Sequence, residues 1–361
     1  MSRFALQDVV GGVDTHKDSH VAAVLTSTGR LLGTETFPTT GAGYDALLSW
    51  MQGFGTVLRI GVEGTSSYGT GLTRSLRRSG VSVVEVNRPN RQLRRQRGKS
   101  DAVDAEAAAR AVLADESERL PKSQDGAVEM LRLVRLQRRS AIDARTRAAN
   151  QLHAVIASAP EPLRAQLRDR SIADVVNFFH RQQVPRARRV RFASHDLEGV
   201  TRLILRGLAE RWSQLNAEIR ILDTYLKQLI EAVAPALLKQ PGIGPEVASA
   251  LLVAAGDNPE RLRNERSFAA LCGVAPLDAS SGRQQRHRLN RGGNRDANRA
   301  LWVIAFVRWR MHAETKKYAA RRTAEGRTKL EILRCLKRYI AREIFKLLHA
   351  ACLNAPHATP A

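Results

Sequence analysis

Residues 9–26 read VVGGVDTHKDSHVAAVLT. The apolar run VVGGV (9–13) is short enough for a buried strand, and HVAAVLT (20–26) is a second run of the same kind. A turn at STG (27–29) then leads into RLLGTETF (30–37), so the three runs form a continuing hairpin. Beyond them, GYDALLSWM (43–51) predicts a helix, TVLRIGVEG (56–64) a strand, YGTGLTRSLRRSG (68–80) a helix closed by Gly80, and VSVVEV (81–86) a strand. GKSDAVDAEAAARAVL (98–113) is strongly helical, with Ser100 or Asp101 as its cap. Three antiparallel strands followed by helix and strand in alternation imply a mixed sheet covered by helices.

After this α/β region the periodicity becomes helical. Leu131, Val134, Ala141, Ala148, Leu152 and Val155 form one stripe within 127–157, and arginines crowd the other faces. Leu208, Trp212, Leu215, Ile219, Leu222, Leu226, Leu229 and Val233 recur at spacings of four and three, a heptad seam that calls for a partner helix. That partner is either the 127–157 helix, packed antiparallel, or a second subunit, because repeat regularity sets geometry and not partner identity. RQQVPRARRVRF (181–192) carries five arginines and no acid, and reads as a nucleic-acid-contacting connector or a flexible loop. PGIGPEVASALLVAAGD, from 241, has the form of a helix-hairpin-helix turn whose N–H groups can face a phosphate. Structural demands alone produce the same turn, since proline favours the first helical position. ALWVIAFVRW (300–309) is an apolar helix, and a last amphipathic helix spans about 329–352 with Leu333, Leu336, Ile340, Ile344 and Leu347 on one face. The expected division is therefore 1–125, 126–236 and 237–361: a mixed sheet with flanking helices, a helical coiled-coil middle and a mainly helical C-terminal domain.

Composition narrows the partner. The chain has 361 residues, 43% of them hydrophobic, and 58 Lys plus Arg against 35 Asp plus Glu give it a net charge of +23. Such an excess favours polyanions, through release of counterions from phosphates. Cys272, Cys335 and Cys352 lie far apart, which suggests neither a zinc site nor a disulfide framework and fits a reducing, cytoplasmic setting. No stretch reads as a signal peptide or membrane span, so nucleic acid is expected and a membrane is not.

Acids supply the candidate chemistry. Asp14 ends the first strand and Glu63 the fourth, and if those strands are neighbours both carboxylates project at one strand-end edge, where open α/β sheets place ligands. Asp101 and Asp104 are three apart at a helix start and share a face. Four converging carboxylates would repel one another unless divalent cations neutralise them, and hard oxygen ligands with a phosphate substrate point to Mg²⁺, or Mn²⁺. Each acid also has a plainer explanation as a turn, cap or surface residue, and Asp18 rivals Asp14 as Glu106 rivals Asp104.

GVDTHKD, VEGTSSYG and KSDAVDAEAAARAV, in this order, resemble the RuvC-like, RNase H-fold domain of the IS-one-ten family of insertion-sequence transposases. FAALCGVAPLDASSGRQQRHRLNRGGNRDANRAL (268–301) is similar to that family's C-terminal transposase domain. The resemblance implies a metal-binding tetrad of Asp14, Glu63, Asp101 and Asp104, and a serine that attacks a DNA phosphate to form a covalent link. Ser281, directly before the glycine, fits the family's Ser-Gly pattern better, with Ser280 its competitor. It further implies donor and target double-stranded DNA as substrates, a structured non-coding guide RNA, and dimers or tetramers with composite sites. The tail beyond about 330 is longer than these motifs require.

Around these motifs the basic residues cluster. Arg283, Arg286, Arg288, Arg291, Arg295 and Arg299 follow the serines with only Asp296 opposing them, while Arg88, Arg91, Arg94, Arg95, Arg97 and Lys99 directly precede Asp101. Guanidinium forks suit phosphate oxygens, so both runs are expected to hold nucleic acid, although solvated loops can have the same composition. Two other readings stay open: a metal-dependent junction resolvase whose serines are structural, and a nucleic-acid-binding protein without activity.

Overall fold

The computed structural model describes residues 7–86, 100–115, 120–181, 196–258, 261–280, 287–288 and 290–354. In the α/β region the elements are β1 (Asp8–Thr15), β2 (Ser19–Thr26), β3 (Leu31–Pro38), α1 (Gly41–Gln52), β4 (Thr56–Glu63), α2 (Thr70–Arg78), β5 (Val83–Val86) and α3 (Asp101–Leu113). The sheet order is β3-β2-β1-β4-β5. β1 and β3 are antiparallel to β2, while β4 runs parallel to both β1 and β5.

The two-residue period of the strands decides which helix covers which face. Val9, Val13, Ala22, Val24, Ile60 and Val62 pack with Leu47 and Met51 of α1 and Leu72 and Leu76 of α2. Val10, Leu25, Val84 and Val86 pack on the other face with Ala108, Ala109 and Val112 of α3. Each fully buried leucine or methionine in such a layer contributes about 1.5–3 kcal/mol of transfer free energy. Gly12 and Gly61 let α3 lie against the strand backbones: a Cβ at Gly12 would stand 2.2 Å from Ala109 N, and one at Gly61 2.9 Å from Ala108 O.

The chain groups into two compact units, residues 1–129 with 250–361, and residues 130–249. Within the first, the segment 120–128 acts as a strap. Gln124, with φ 56°, accepts a hydrogen bond from Thr70 Oγ1 (3.2 Å) and donates to Thr65 O (3.0 Å), while Arg74 donates to its carbonyl. On the strap's other side, Asn258 Nδ2 donates to Pro121 O (3.1 Å), Ser123 N to Asn258 Oδ1 (3.3 Å), Arg261 Nε to Leu120 O (3.2 Å) and Val128 N to Asp257 Oδ1 (2.8 Å). The loop after Glu63 is thereby bonded, through the strap, to Asp257, Asn258 and Arg261.

The second unit is helical. α4 (Ala127–Ala157) enters it and is followed by α5 (Glu161–Leu167), α6 (Ile172–Arg181), α7 (Leu197–Val233) and α8 (Pro235–Leu238). α4 and α7 pair antiparallel along their length: Arg138 meets Asp223, Gln137 meets Glu218, Arg145 meets Asn216 and Trp212, and Leu152 packs in one cluster with Leu205 and Ala209. Of the seam residues, Trp212 meets Arg145 of α4, and Leu208 and Trp212 border the cluster that holds Leu152. Most of the connector 181–192 lies outside the described residues.

α9 (Pro245–Ala255) starts at proline, as its sequence suggests, and Glu246 in its first turn is ion-paired to Arg135 and Arg138. Then follow α10 (Glu265–Leu271), the short ladder of β6 (Leu277–Asp278) with β7 (His287–Arg288), and α11 (Arg295–Met311), α12 (Ala313–Ala324) and α13 (Lys329–Asn354). The buried row of α13 is Ile332, Leu336, Ile340, Ile344 and Leu348, with Leu333 and Leu347 half-buried beside it. No described helix is long and apolar enough to cross a membrane.

Candidate active site

Sheet parity brings the acids together. Asp14 shares its side of β1 with Val10 and Gly12, and Glu63 shares its side of β4 with Gly61, so both lie on the face that α3 covers. The parallel register Val13↔Val62 carries the two acids to adjacent strand ends. There Thr15 Oγ1 donates to the Glu63 carbonyl (2.8 Å) and ties the ends together. Gly12 contacts Ala105 and Ala109, one turn and two turns beyond Asp101. The N-terminus of α3 therefore sits over the strand ends. Ser100 caps it, accepting from Val103 N at 3.3 Å, and the positive end of the helix dipole favours the carboxylates gathered there.

Asp14, His16 and Asp101 each present a ligand atom, all within 4.8 Å of one another. His16 Nε2 lies 3.2 Å from Asp14 Oδ2 and 3.4 Å from Asp101 Oδ1. With hydrogen on that nitrogen the imidazole donates between two carboxylates; without it, a lone pair joins them as a third ligand. Asp14 is buried and Asp101 exposed, so the cluster opens on one side. Burial holds the Asp14 carboxyl above its ordinary range; His16 pulls it back down, and the charges of Asp104 and Asp101 push it up. A divalent cation would relieve that repulsion, and two carboxylates with one imidazole are a donor set such an ion accepts.

The predicted site residues fall into three groups. Asp14 and Asp101 join in the ligand cluster; Asp104, 4% exposed, lies near enough for its charge to act on Asp14; Glu63 occupies the neighbouring strand end, half-buried. Of the rivals, Asp18 is exposed in the β1–β2 turn, and Glu106 pairs with Arg110 one helical turn on. Ser280 is described: its N–H (2.9 Å) and its Oγ both donate to Asp278 Oδ1, at the end of β6 in the β6–β7 connection. Arg288, Arg291, Arg295 and Arg299 are exposed. Ser281, Arg283, Arg286, Arg88, Arg91, Arg94, Arg95, Arg97 and Lys99 lie outside the described residues.

His16 is the member that sequence reasoning missed. The signal was available in strand parity: two residues past Asp14, it falls on the same face. Its meeting with Asp101, however, depends on how α3 docks.

An RNase H-like mixed sheet whose adjacent strand ends and covering helix gather carboxylates is the frame of a DEDD-type domain. Residues 11–159 match the family model for the DEDD transposase domain of IS110 elements, described as Transposase, and residues 234–320 match that for Transposase IS116/IS110/IS902 family. The chain belongs to the IS110 family of transposases. A stretch of 153 residues, 42% of this chain, is 29% identical to the insertion element IS110 uncharacterized 43.6 kDa protein of Streptomyces coelicolor. The match spans 38% of that relative's length, so it bears on part of the molecule only.

Proposed function

We propose that this chain is a DNA transposase that cuts and rejoins the ends of an insertion element, with Asp14, Glu63, Asp101 and Asp104 holding divalent metal and a serine of the β6–β7 connection as nucleophile. The observation that carries the proposal is the meeting of Asp14 with Asp101 at the sheet edge, in a chain matched by two IS110 transposase models. Bound Mg²⁺ or Mn²⁺ would supply charge neutralisation at the scissile phosphate. Asp14 and Asp101 orient what binds between them, and His16 Nε2, at 3.2 and 3.4 Å from these acids, offers a third donor atom beside them.

Ser281 is the proposed nucleophile and Ser280 its competitor. The serine oxygen forms a bond to phosphorus as its proton passes to a nearby base. The bond from phosphorus to one deoxyribose oxygen breaks, and that oxygen leaves as a hydroxyl after taking a proton. The DNA stays linked to the protein as a phosphoserine, and the reverse attack by a new strand end rejoins it. In the described part of the connection, the Asp278 carboxylate accepts the hydroxyl hydrogen of Ser280, the proton relationship that a serine nucleophile needs. The basic runs 88–99 and 283–299 hold the DNA backbone or a structured guide RNA encoded by the element, and the active assembly is a homo-oligomer acting on the chromosome in the cytoplasm.

The test incubates the full chain with labelled element-end DNA, target DNA, RNA transcribed from the element's flanks and Mg²⁺, and looks for a denaturant-resistant protein–DNA adduct. The proposal expects an adduct that is lost in Ser281→Ala and in Asp14→Asn. Cleavage without adduct that survives alanine at both serines overturns the serine assignment, and binding without strand breakage overturns the catalytic one.

A further inference from the structure

Outside the acidic cluster, one face of α11 stands apart. Ala297, Ala300, Leu301, Ile304, Ala305 and Arg308 are its buried side, whereas Arg295, Arg299, Trp302, Phe306 and Arg310 are exposed. Their spacings of 4, 3, 4 and 4 confine those five to one sector of the helix, roughly 80° wide at 100° per residue, and about 22 Å long. Trp302 and Phe306 remain 42% and 41% exposed, with rings stacked at 5.2 Å between centroids and 11° between planes. Arg310 extends the stack, its guanidinium carbon 5.7 Å from the Phe306 ring centre. No carboxylate among the described residues forms a salt bridge with Arg295, Arg299 or Arg310.

Two large aromatic rings left in water ask for a partner, and the arginines around them select its charge. A second copy of this chain carries +23 and would set arginine against arginine across a two-fold contact. A nucleic-acid strand brings phosphates for the guanidinium groups. Within a duplex the base faces are already covered by their neighbours, so only unpaired bases can extend a Trp–Phe stack.

We propose that the Arg295, Arg299, Trp302, Phe306 and Arg310 face of α11 binds an unpaired stretch of DNA, a base stacking on the open face of Trp302 at the end of the Trp302–Phe306–Arg310 stack and the phosphates held by the arginines. Strand cleavage and exchange leave DNA ends unpaired, and this face would keep them from diffusing away. The proposal concerns binding alone, so it can fail or stand without reference to the acidic cluster or either serine.

The test measures fluorescence anisotropy of labelled oligo(dT), a duplex of the same length and an oligo(U) with the full chain in EDTA, where no cleavage occurs. Exposed positions tolerate substitution, and thermal melting confirms that each variant is folded. Trp302→Ala with Phe306→Ala is expected to weaken oligo(dT) binding tenfold or more and duplex binding less than twofold, and Trp302→Phe to retain most of the affinity. Arg299→Gln with Arg310→Gln is expected to reduce the salt dependence of oligo(dT) binding by about 0.7 per residue. Equal losses on duplex and single strand, or no loss, overturn the proposal. Tighter binding of oligo(U) with the same Trp302 dependence overturns the assignment to DNA. Self-association of the wild type that the double alanine variant abolishes, seen by sedimentation, overturns it in favour of a subunit interface.

Discussion

Gly12→Ala is the substitution that most sharply separates packing from chemistry in the acidic site. The new methyl would lie 2.2 Å from Ala109 N and 2.3 Å from Ala105 O, both backbone atoms of α3 that cannot turn aside. Restoring ordinary contact requires α3 to lift by about 1 Å, because close-packed interiors transmit such strain. Overpacking of this kind costs about 1–3 kcal/mol. It also moves Asp101 and Asp104, which ride on α3, away from Asp14, which does not move with them, and a displacement of about 1 Å at a reacting centre can cost on the order of 10²-fold in rate.

Gly11→Ala is the matched control. It points to the opposite face, where its methyl meets the Met51 Sδ (2.6 Å) and Cε (2.8 Å), the far end of a flexible side chain. Thermal melting and Mn²⁺ titration calorimetry on both variants decide the matter: Gly12→Ala should lose stability and most of its Mn²⁺ affinity, while Gly11→Ala keeps the affinity. Equal Mn²⁺ affinity in the two variants would falsify the idea that α3 docking on Gly12 assembles the site.

Two further outcomes test the rest of the first unit. Asn258→Ala leaves Pro121 O and Ser123 N without their partner in a half-buried strap and should destabilise the protein by about 1–3 kcal/mol, with limited proteolysis cutting first within 120–128. Cys272 is fully buried, and burial pushes its thiol up to about 12, so at pH 8 iodoacetamide should leave it unmodified until the protein is unfolded; native-state labelling of Cys272 found by peptide mass spectrometry would contradict the packing around it.

Much of the sheet could be read before folding because each strand carries its own signal. VVGGV, HVAAVLT and TVLRIGVEG are apolar runs bounded by turns, and Ser100 and Pro245 mark helix starts by chemistry that acts within one turn. Nothing in VVGGV itself says what its two glycines make room for; only the packed structure shows that Gly12 accommodates α3 and Gly11 accommodates Met51. Helices α5 and α12 went unread because one is seven residues long and the other, AETKKYAARRTA, has little apolar periodicity. The seam of α7 declared that it needed a partner, yet the choice of α4 rests on side-chain pairs such as Arg138 with Asp223, residues that one-dimensional spacing cannot bring together. The same holds for His16, whose place between Asp14 and Asp101 exists only once α3 is laid across β1.

The most direct test of the account is anomalous diffraction at the manganese edge from crystals of the full chain grown with Mn²⁺. A peak bonded to the carboxylates of Asp14 and Asp101 at the carboxyl ends of β1 and β4, and missing from crystals of Asp14→Asn, is the predicted result. An ordered Mn²⁺ bound elsewhere with none at this edge, or a peak there that Asp14→Asn leaves unchanged, would contradict it.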